Sequence, residues 1–158
     1  MAKELKTNAM RFLDKNKIEY KINVYECDEF IDGVTVANAL GQPVEETFKT
    51  LVAKGKSGSY YCFLLPVALE LDLKKAAKSV GEKSVELIHV KDINKITGYI
   101  RGGCTPIGMK KQFMTVVHSS AQKLEMFFIS GGRIGTQIQL SPHKLLSAIH
   151  GKFEDIIL

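Results

Sequence analysis

Thr47-Phe48-Lys49-Thr50-Leu51-Val52-Ala53 and Ser59-Tyr60-Tyr61-Cys62-Phe63-Leu64-Leu65-Pro66-Val67 flank the short run Gly55-Lys56-Ser57-Gly58. Both flanking runs are apolar or β-branched, and the segment between them carries turn glycines, so residues 47–67 read as a β-hairpin. A hairpin joins antiparallel strands. Set among helical segments, it argues for an α+β chain with a curved sheet or small barrel, and against a strictly alternating parallel fold.

Upstream, Val44 to Phe48 reads as one helical turn and Val34 to Leu40 as a short helix stopped by Gly41. Asp28 to Gly33 is a loop, and Ile18, Tyr20, Ile22 and Val24 alternate as in a strand that runs to Tyr25. Leu5, Met10, Phe12 and Leu13 have near-helical spacing, which predicts a surface helix over 3–16. Downstream, Asp72 to Val80 is a helix with a carboxylate at its start and Gly81 at its end. Ser84 to Val90 reads as a strand and Asp92 to Thr97 as a short helix before Gly98. Met114 to His118, Met126 to Ser130 and Ile138 to Leu140 read as strands. Ser141 and Pro142 suit the N-cap and first position of a last helix, His143 to Ile149. With no repeat, low-complexity stretch or linker, residues 1–158 are expected to form one domain.

Two glycine-rich segments interrupt this pattern. Gly102-Gly103-Cys104-Thr105-Pro106-Ile107-Gly108 holds three glycines and a proline in seven residues and predicts a shaped loop. Such a loop can aim several backbone N–H groups at one oxygen or phosphate. Ser130-Gly131-Gly132-Arg133-Ile134-Gly135 reads as a second loop after an apolar run. Together they suggest one binding site built from backbone.

The bulk numbers set bounds. Lysine and arginine number 22 against 17 acidic residues, a net charge of +5. That excess favours a polyanionic partner without requiring one. No apolar run approaches the roughly 20 residues of a membrane span. The segment Met1-Ala2-Lys3-Glu4-Leu5-Lys6 lacks the apolar stretch of a signal peptide. Cys27, Cys62 and Cys104 are far apart and odd in number, which points to reduced thiols and a cytoplasmic protein.

Other motifs fare poorly. Gly55-Lys56-Ser57 resembles the end of a P-loop, but Thr50 stands where the motif needs glycine. Neither glycine segment fits the dinucleotide fingerprint. His89, His118, His143 and His150 lack metal-ligand spacing, so no metal and no cofactor is expected. Cys104 could be a nucleophile, but nothing nearby in sequence would make it a thiolate, and a small apolar filler is the better reading. Lys49 opens an apolar strand, as either a solvated edge residue or a charge aimed into a pocket, and residue type alone favours the solvated edge, since lysine is almost never buried unpaired.

With these residues in hand, the chain resembles the bacterial YbaK/EbsC family of free-standing Cys-tRNA(Pro) deacylases, relatives of the editing insertion domain of prolyl-tRNA synthetase. The resemblance rests on Phe48-Lys49-Thr50-Leu51, Leu71-Asp72-Leu73-Lys74-Lys75-Ala76-Ala77, Thr97-Gly98-Tyr99-Ile100-Arg101-Gly102-Gly103-Cys104-Thr105-Pro106-Ile107-Gly108 and Ile129-Ser130-Gly131-Gly132. It implies a mixed sheet closed into a partial barrel surrounded by helices. It implies hydrolysis of the ester between a wrongly attached amino acid and the 3′ adenosine of tRNA. The partners implied are the aminoacylated CCA end of tRNA and prolyl-tRNA synthetase, not a membrane and not DNA.

By the same resemblance, Lys49, Gly102 and Tyr25 take the catalytic positions. Thr50, Gly103, Thr105, Pro106, Ile107, Ser130, Gly131, Gly132 and Arg133 fall on the substrate-binding side. Lys110, Lys111 and Arg133 are candidates for contact with the rest of the tRNA. The family mechanism uses no protein nucleophile, because the thiol of the cysteinyl substrate attacks its own ester carbonyl. The chain departs from the family pattern in places. Ile134 follows Arg133 where a basic residue is usual, Gln137 stands for an acidic residue, and Asp32 stands for an aromatic that Phe30 could replace. These departures leave open a deacylase for another small amino acid such as alanine, a tRNA- or synthetase-binding module with weakened catalysis, and a small-nucleotide binder.

Overall fold

The computed structural model describes residues 6–25 and 32–158. The hairpin forms as read. Strand β2 (Phe48–Gly55) and strand β3 (Tyr60–Pro66) pair antiparallel, Lys49 opposite Leu65 and Val52 opposite Cys62. They lie inside a five-stranded sheet of order β4-β2-β3-β5-β8, where β4 is Val85–Leu87, β5 is Met114–His118 and β8 is Lys152–Glu154. The pairs β3–β5 and β5–β8 are parallel, so the sheet is mixed. A second sheet has the order β1-β7-β6, with β1 at Tyr20–Val24, β6 at Phe127–Arg133 and β7 at Thr136–Leu140.

Both faces of the hairpin are buried, which is why its strands read as nearly continuous apolar runs. Alternation sends Phe48, Val52, Cys62 and Leu64 into one core and Ala53, Tyr61 and Phe63 into another. The first core packs against β6, β7, helix α1 (Asn8–Lys15) and helix α5 (Pro142–Ile149). The second is covered by helix α3 (Leu73–Ser79) through Ala76 and Ala77. Helix α1 buries Ala9, Met10 and Leu13 and turns polar residues outward. Its Thr7 cap accepts from the Met10 N–H, and the same hydroxyl donates to the Gly131 carbonyl at 2.6 Å.

The local stop and start signals are honoured. Asp72 accepts from the Lys74 and Lys75 N–H groups, and Ser141 accepts from the Lys144 N–H with Pro142 at the first position of α5. Helix α2 (Gly33–Ala39) is capped by Asp32 and followed by a 3-10 turn at Val44–Glu46. Helix α4 (Ile93–Thr97) ends at Gly98 in the left-handed region. Predicted residues 3–5 and the loop from 28 to 31 lie outside the described residues.

Three readings change. Ser130 to Arg133 is not a free loop, because β6 runs through it. The register with β7 shifts between Ser130 and Arg133, a bulge that lets a glycine pair sit inside a strand. The strand expected over Ser84 to Val90 is only Val85–Leu87, since the chain leaves the sheet for a 3-10 turn at Val90–Asp92. Strand β8 and a 3-10 segment at Ser119–Lys123 escaped the sequence reading, being short and largely polar. The class is α+β. Among the described residues the two sheets meet at one parallel bridge, Thr47 to Phe128, rather than in a closed barrel. No helix among them is long and apolar enough to cross a membrane.

Candidate functional site

Strand β2 has β3 along one edge, so its other partners share the second edge. There, pairing with β4 covers Ala53 to Gly55, with the Ile88 N–H donating to the Val52 carbonyl. At the strand's other end, Thr47 bridges Phe128, and the Phe48 ring meets Phe127 edge-on at 5.1 Å. Between these two attachments the edge has no registered strand partner among the described residues. Thr47 to Val52 all line a cavity of about 460 Å³. Because the cavity sits at an edge, it takes in Lys49 and Leu51 from one face of the strand and Phe48, Thr50 and Val52 from the other.

Its remaining walls come from four segments, with Val67 and Tyr25 beside them. Asp32, Gly33 and Val36 belong to the start of α2, and Leu87, Ile88, Val90 and Ile93 run from β4 to α4. The glycine loop contributes Arg101, Gly102 and Cys104, and β6–β7 contribute Ile129, Ser130, Thr136 and Gln137. Tyr25 adds to the wall, and its N–H donates to the Gly135 carbonyl in the β6–β7 turn.

Five residues expected at the site therefore converge on it: Tyr25, Lys49, Thr50, Gly102 and Ser130. Gly102 has φ 85°, a conformation that suits glycine and turns the loop into the cavity. The Thr50 hydroxyl is buried there with no hydrogen-bond partner among the described residues. The Ser130 hydroxyl accepts from the Gly132 N–H at 3.2 Å.

The other seven stand behind the wall. A Cβ on Gly103 would lie 2.8 Å from Arg133 Cα, so the loop backs directly onto β6. Thr105 is fully buried, its hydroxyl without a partner among the described residues. The Pro106 carbonyl accepts from Gln112, and the Ile107 carbonyl accepts from the buried Tyr99 hydroxyl at 2.7 Å. Gly131 and Gly132 pack on Thr136 and Thr7, and Arg133 Nε donates to the Thr136 hydroxyl at 3.2 Å.

The chemistry of the lining is uneven. Among the described residues, Lys49 and Arg101 are its cations. Asp32 is the carboxylate among them, held below the usual range by the Thr35 N–H and hydroxyl and so ionised at neutral pH. Burial pushes the Cys104 thiol up to about 11, which leaves it protonated and a poor nucleophile. No histidine lines the cavity among the described residues, and no group of three or more potential ligands among them could hold a metal.

One feature of the wall had no sequence signal beyond an unusual residue at Gln137. Gln137 is 4% exposed, and its amide pairs with that of Gln42 in both directions at 2.6 and 2.9 Å. Asn23 also donates to the Gln137 carbonyl oxygen. Arg101 was likewise missed as a lining residue, although it directly precedes Gly102.

The aminoacyl-tRNA editing domain family matches residues 32–148, which span every wall of the cavity except Tyr25. A protein of Enterococcus faecalis provisionally named Cys-tRNA(Pro)/Cys-tRNA(Cys) deacylase EbsC is 44% identical over 152 residues, covering 96% of this chain and 93% of that protein. The proline–tRNA ligase of Fervidobacterium nodosum is 36% identical over 75 residues, about 48% of this chain but only 13% of the ligase. A crystal structure described provisionally as a trans-editing enzyme for prolyl-tRNA synthetase shares the fold with TM-score 0.82 at 22% identity, covering 98% of this chain and 99% of that one. The long match to EbsC and the domain match across the cavity agree with the motifs around Lys49 and Gly102, and the chain belongs to the aminoacyl-tRNA editing family.

Proposed function

We propose that this protein is a trans-editing deacylase that removes cysteine from Cys-tRNA(Pro), with Cys-tRNA(Cys) as a second substrate. The observation that carries the reading is a cavity that gathers Lys49, Gly102, Tyr25 and Ser130 but, among the described residues, holds no activated nucleophile, the Cys104 thiol being raised by burial. An aminoacyl ester is already reactive, so positioning and stabilisation of the oxyanion suffice. The substrate thiol attacks its own carbonyl, a C–S bond forms, and the ester C–O bond breaks. The thiol proton ends on the departing ribose oxygen, and water later opens the cyclic thioester.

In this reading Lys49 holds the terminal phosphate or ribose as a point charge, and backbone N–H groups around Gly102 face the oxyanion. Thr50 and Ser130 contact the ribose or the carbonyl. Gly103, Thr105, Pro106, Ile107, Gly131, Gly132 and Arg133 fix the shape of that wall. The whole chain, 1–158, is one editing domain, and the two sheets bridged at Thr47 and Phe128 supply the partial barrel around the cavity. It works in the cytoplasm beside prolyl-tRNA synthetase, a link supported by the partial likeness to a proline–tRNA ligase.

The test is the rate of deacylation of Cys-tRNA(Pro) beside Ala-tRNA(Pro) and Ser-tRNA(Pro), which lack the thiol. Fast loss of cysteine alone is expected. Loss of alanine or serine would make water the attacking group and change the specificity class. A second reading, a tRNA-binding module with weakened catalysis, is favoured by the neutral Gln137 where the family has an acid. It predicts tRNA binding with no turnover on any of the three.

A further inference from the structure

Two of the segments that line the cavity carry opposite charge. From residue 32 to 47, through α2 and the 3-10 turn after it, the charged side chains are Asp32, Glu45 and Glu46, with no lysine or arginine. From residue 87 to 111 they are Lys91, Lys95, Arg101, Lys110 and Lys111, against Asp92 alone. Both segments line the same cavity, the first through Asp32 and Val36 and the second through Val90, Ile93 and Arg101. All five basic residues are exposed. Lys110 Nζ donates to the Lys95 carbonyl at 3.4 Å, so α4 and the segment after the glycine loop form one continuous surface.

A substrate whose reacting end is small and whose remainder is a polyanion would respond to this asymmetry. The ester and ribose enter the cavity, and the phosphates that follow must cross one of its rims. Each phosphate set on an exposed lysine or arginine releases condensed counterions, and each one brought near a carboxylate is repelled. The separation acts over the roughly 8–10 Å that salt leaves unscreened.

We propose that the acceptor arm of tRNA leaves the cavity over the wall of Lys91, Lys95, Arg101, Lys110 and Lys111, and is turned away from the α2 wall by Asp32, Glu45 and Glu46. The proposal rests on the editing reading for its ligand and adds a direction of approach. It gives the bound tRNA one orientation from charge alone, with no base read.

The test is binding of uncharged tRNA(Pro), followed by fluorescence anisotropy across a salt series, so that the result does not depend on turnover. The variants are Lys91→Gln with Lys95→Gln, Lys110→Gln with Lys111→Gln, and Glu45→Gln with Glu46→Gln, each checked for an unchanged melting curve. Each lysine pair should weaken binding about tenfold and reduce the log–log salt slope by about 2. The glutamate pair should leave binding unchanged or tighten it. Unchanged affinity and slope in both lysine pairs, or weakening by the glutamate pair, would overturn the proposal. Deacylation of Cys-tRNA(Pro) by the unmodified protein is scored separately. Absent turnover with the expected binding pattern sinks the deacylase reading and leaves the wall in place, and turnover without the pattern does the reverse.

Discussion

The side chains of Gln42 and Gln137 exchange two hydrogen bonds, one in each direction, and so join the turn after α2 to strand β7 at the wall of the cavity. Both amides are used as donor and acceptor, and Gln137 is almost fully buried. Replacing Gln137 by alanine removes the partner of two half-buried amides, Gln42 and Asn23, at a cost of about 1 kcal/mol. Urea denaturation checks this. The Gln42→Ala, Gln137→Ala double variant should lose less than the sum of the singles, since the second change removes a group already orphaned.

Lys49→Ala should lower deacylation of Cys-tRNA(Pro) by about hundredfold or more, the size expected when a charge positioned at the reacting end is lost. Lys49 is half-buried at an edge, so the far-UV spectrum and melting curve should stay as they were. Near-normal turnover in a folded variant would remove the residue from the mechanism.

Cys104→Ala should keep deacylation within about threefold, because a thiol near 11 is protonated at working pH and a small apolar side chain fills the same place. In a Cys27→Ser background, native alkylation by iodoacetamide should be slow at pH 7 and rise only in strongly alkaline buffer. Rapid labelling at neutral pH, or a large loss of turnover, would restore a thiol nucleophile.

Gly103→Ala should destabilise the fold by about 1–3 kcal/mol, since the added methyl meets the Arg133 backbone rather than a side chain that can swing aside. Thermal melting reads the loss. Turnover at a temperature well below the melting point should also fall, as the loop carrying Gly102 is pushed off β6.

His118 should make stability depend on pH near neutrality. Burial holds its imidazole below the ordinary 6.5, against the opposing pull of Asp155 at 3.6 Å. Lys75, paired with Asp155 at 3.1 Å, adds to the lowering, and Ser120 sits at the other ring nitrogen. Below 6.5 the unfolded chain binds the proton more readily than the folded one. The contribution is thus complete above 6.5 and is lost as the pH falls from there through the lowered folded value. Melting temperatures at pH 7.5 and 5 should differ by less in His118→Asn than in the unmodified protein.

Much of this molecule could be read from residue order. The hairpin, the caps at Asp72 and Ser141, the glycine after α4 and the strand at Met114–His118 all follow from local rules, because their cause lies within a few residues. The lining of the cavity was legible where residue type and family pattern agreed, as at Lys49, Gly102 and Ser130. It was not legible where the cause lies far away in sequence. Ser-Gly-Gly looks like a loop until β7 is placed beside it. Gly103, Gly131 and Gly132 look like ligand-facing backbone, yet their missing side chains make room for Arg133, Thr136 and Thr7. Gln42 has no signature at all, since its partner is Gln137, 95 residues on. Strand β8 is too short and polar to announce itself, and only the free edge of β5 makes it a strand.

The hydrogen bond from Thr7 to the Gly131 carbonyl spans 124 residues. It ties the first described helix to a strand made more than a hundred residues after it. Closing so long a loop is slow, because its entropy is lost before any contact repays it. A nascent chain still lacking β6 and β7 would already carry Lys49 and Gly102, but not Ser130 or the backing for the glycine loop. The cavity of this editing-family chain is therefore complete only once β6 and β7 have been made and docked against α1.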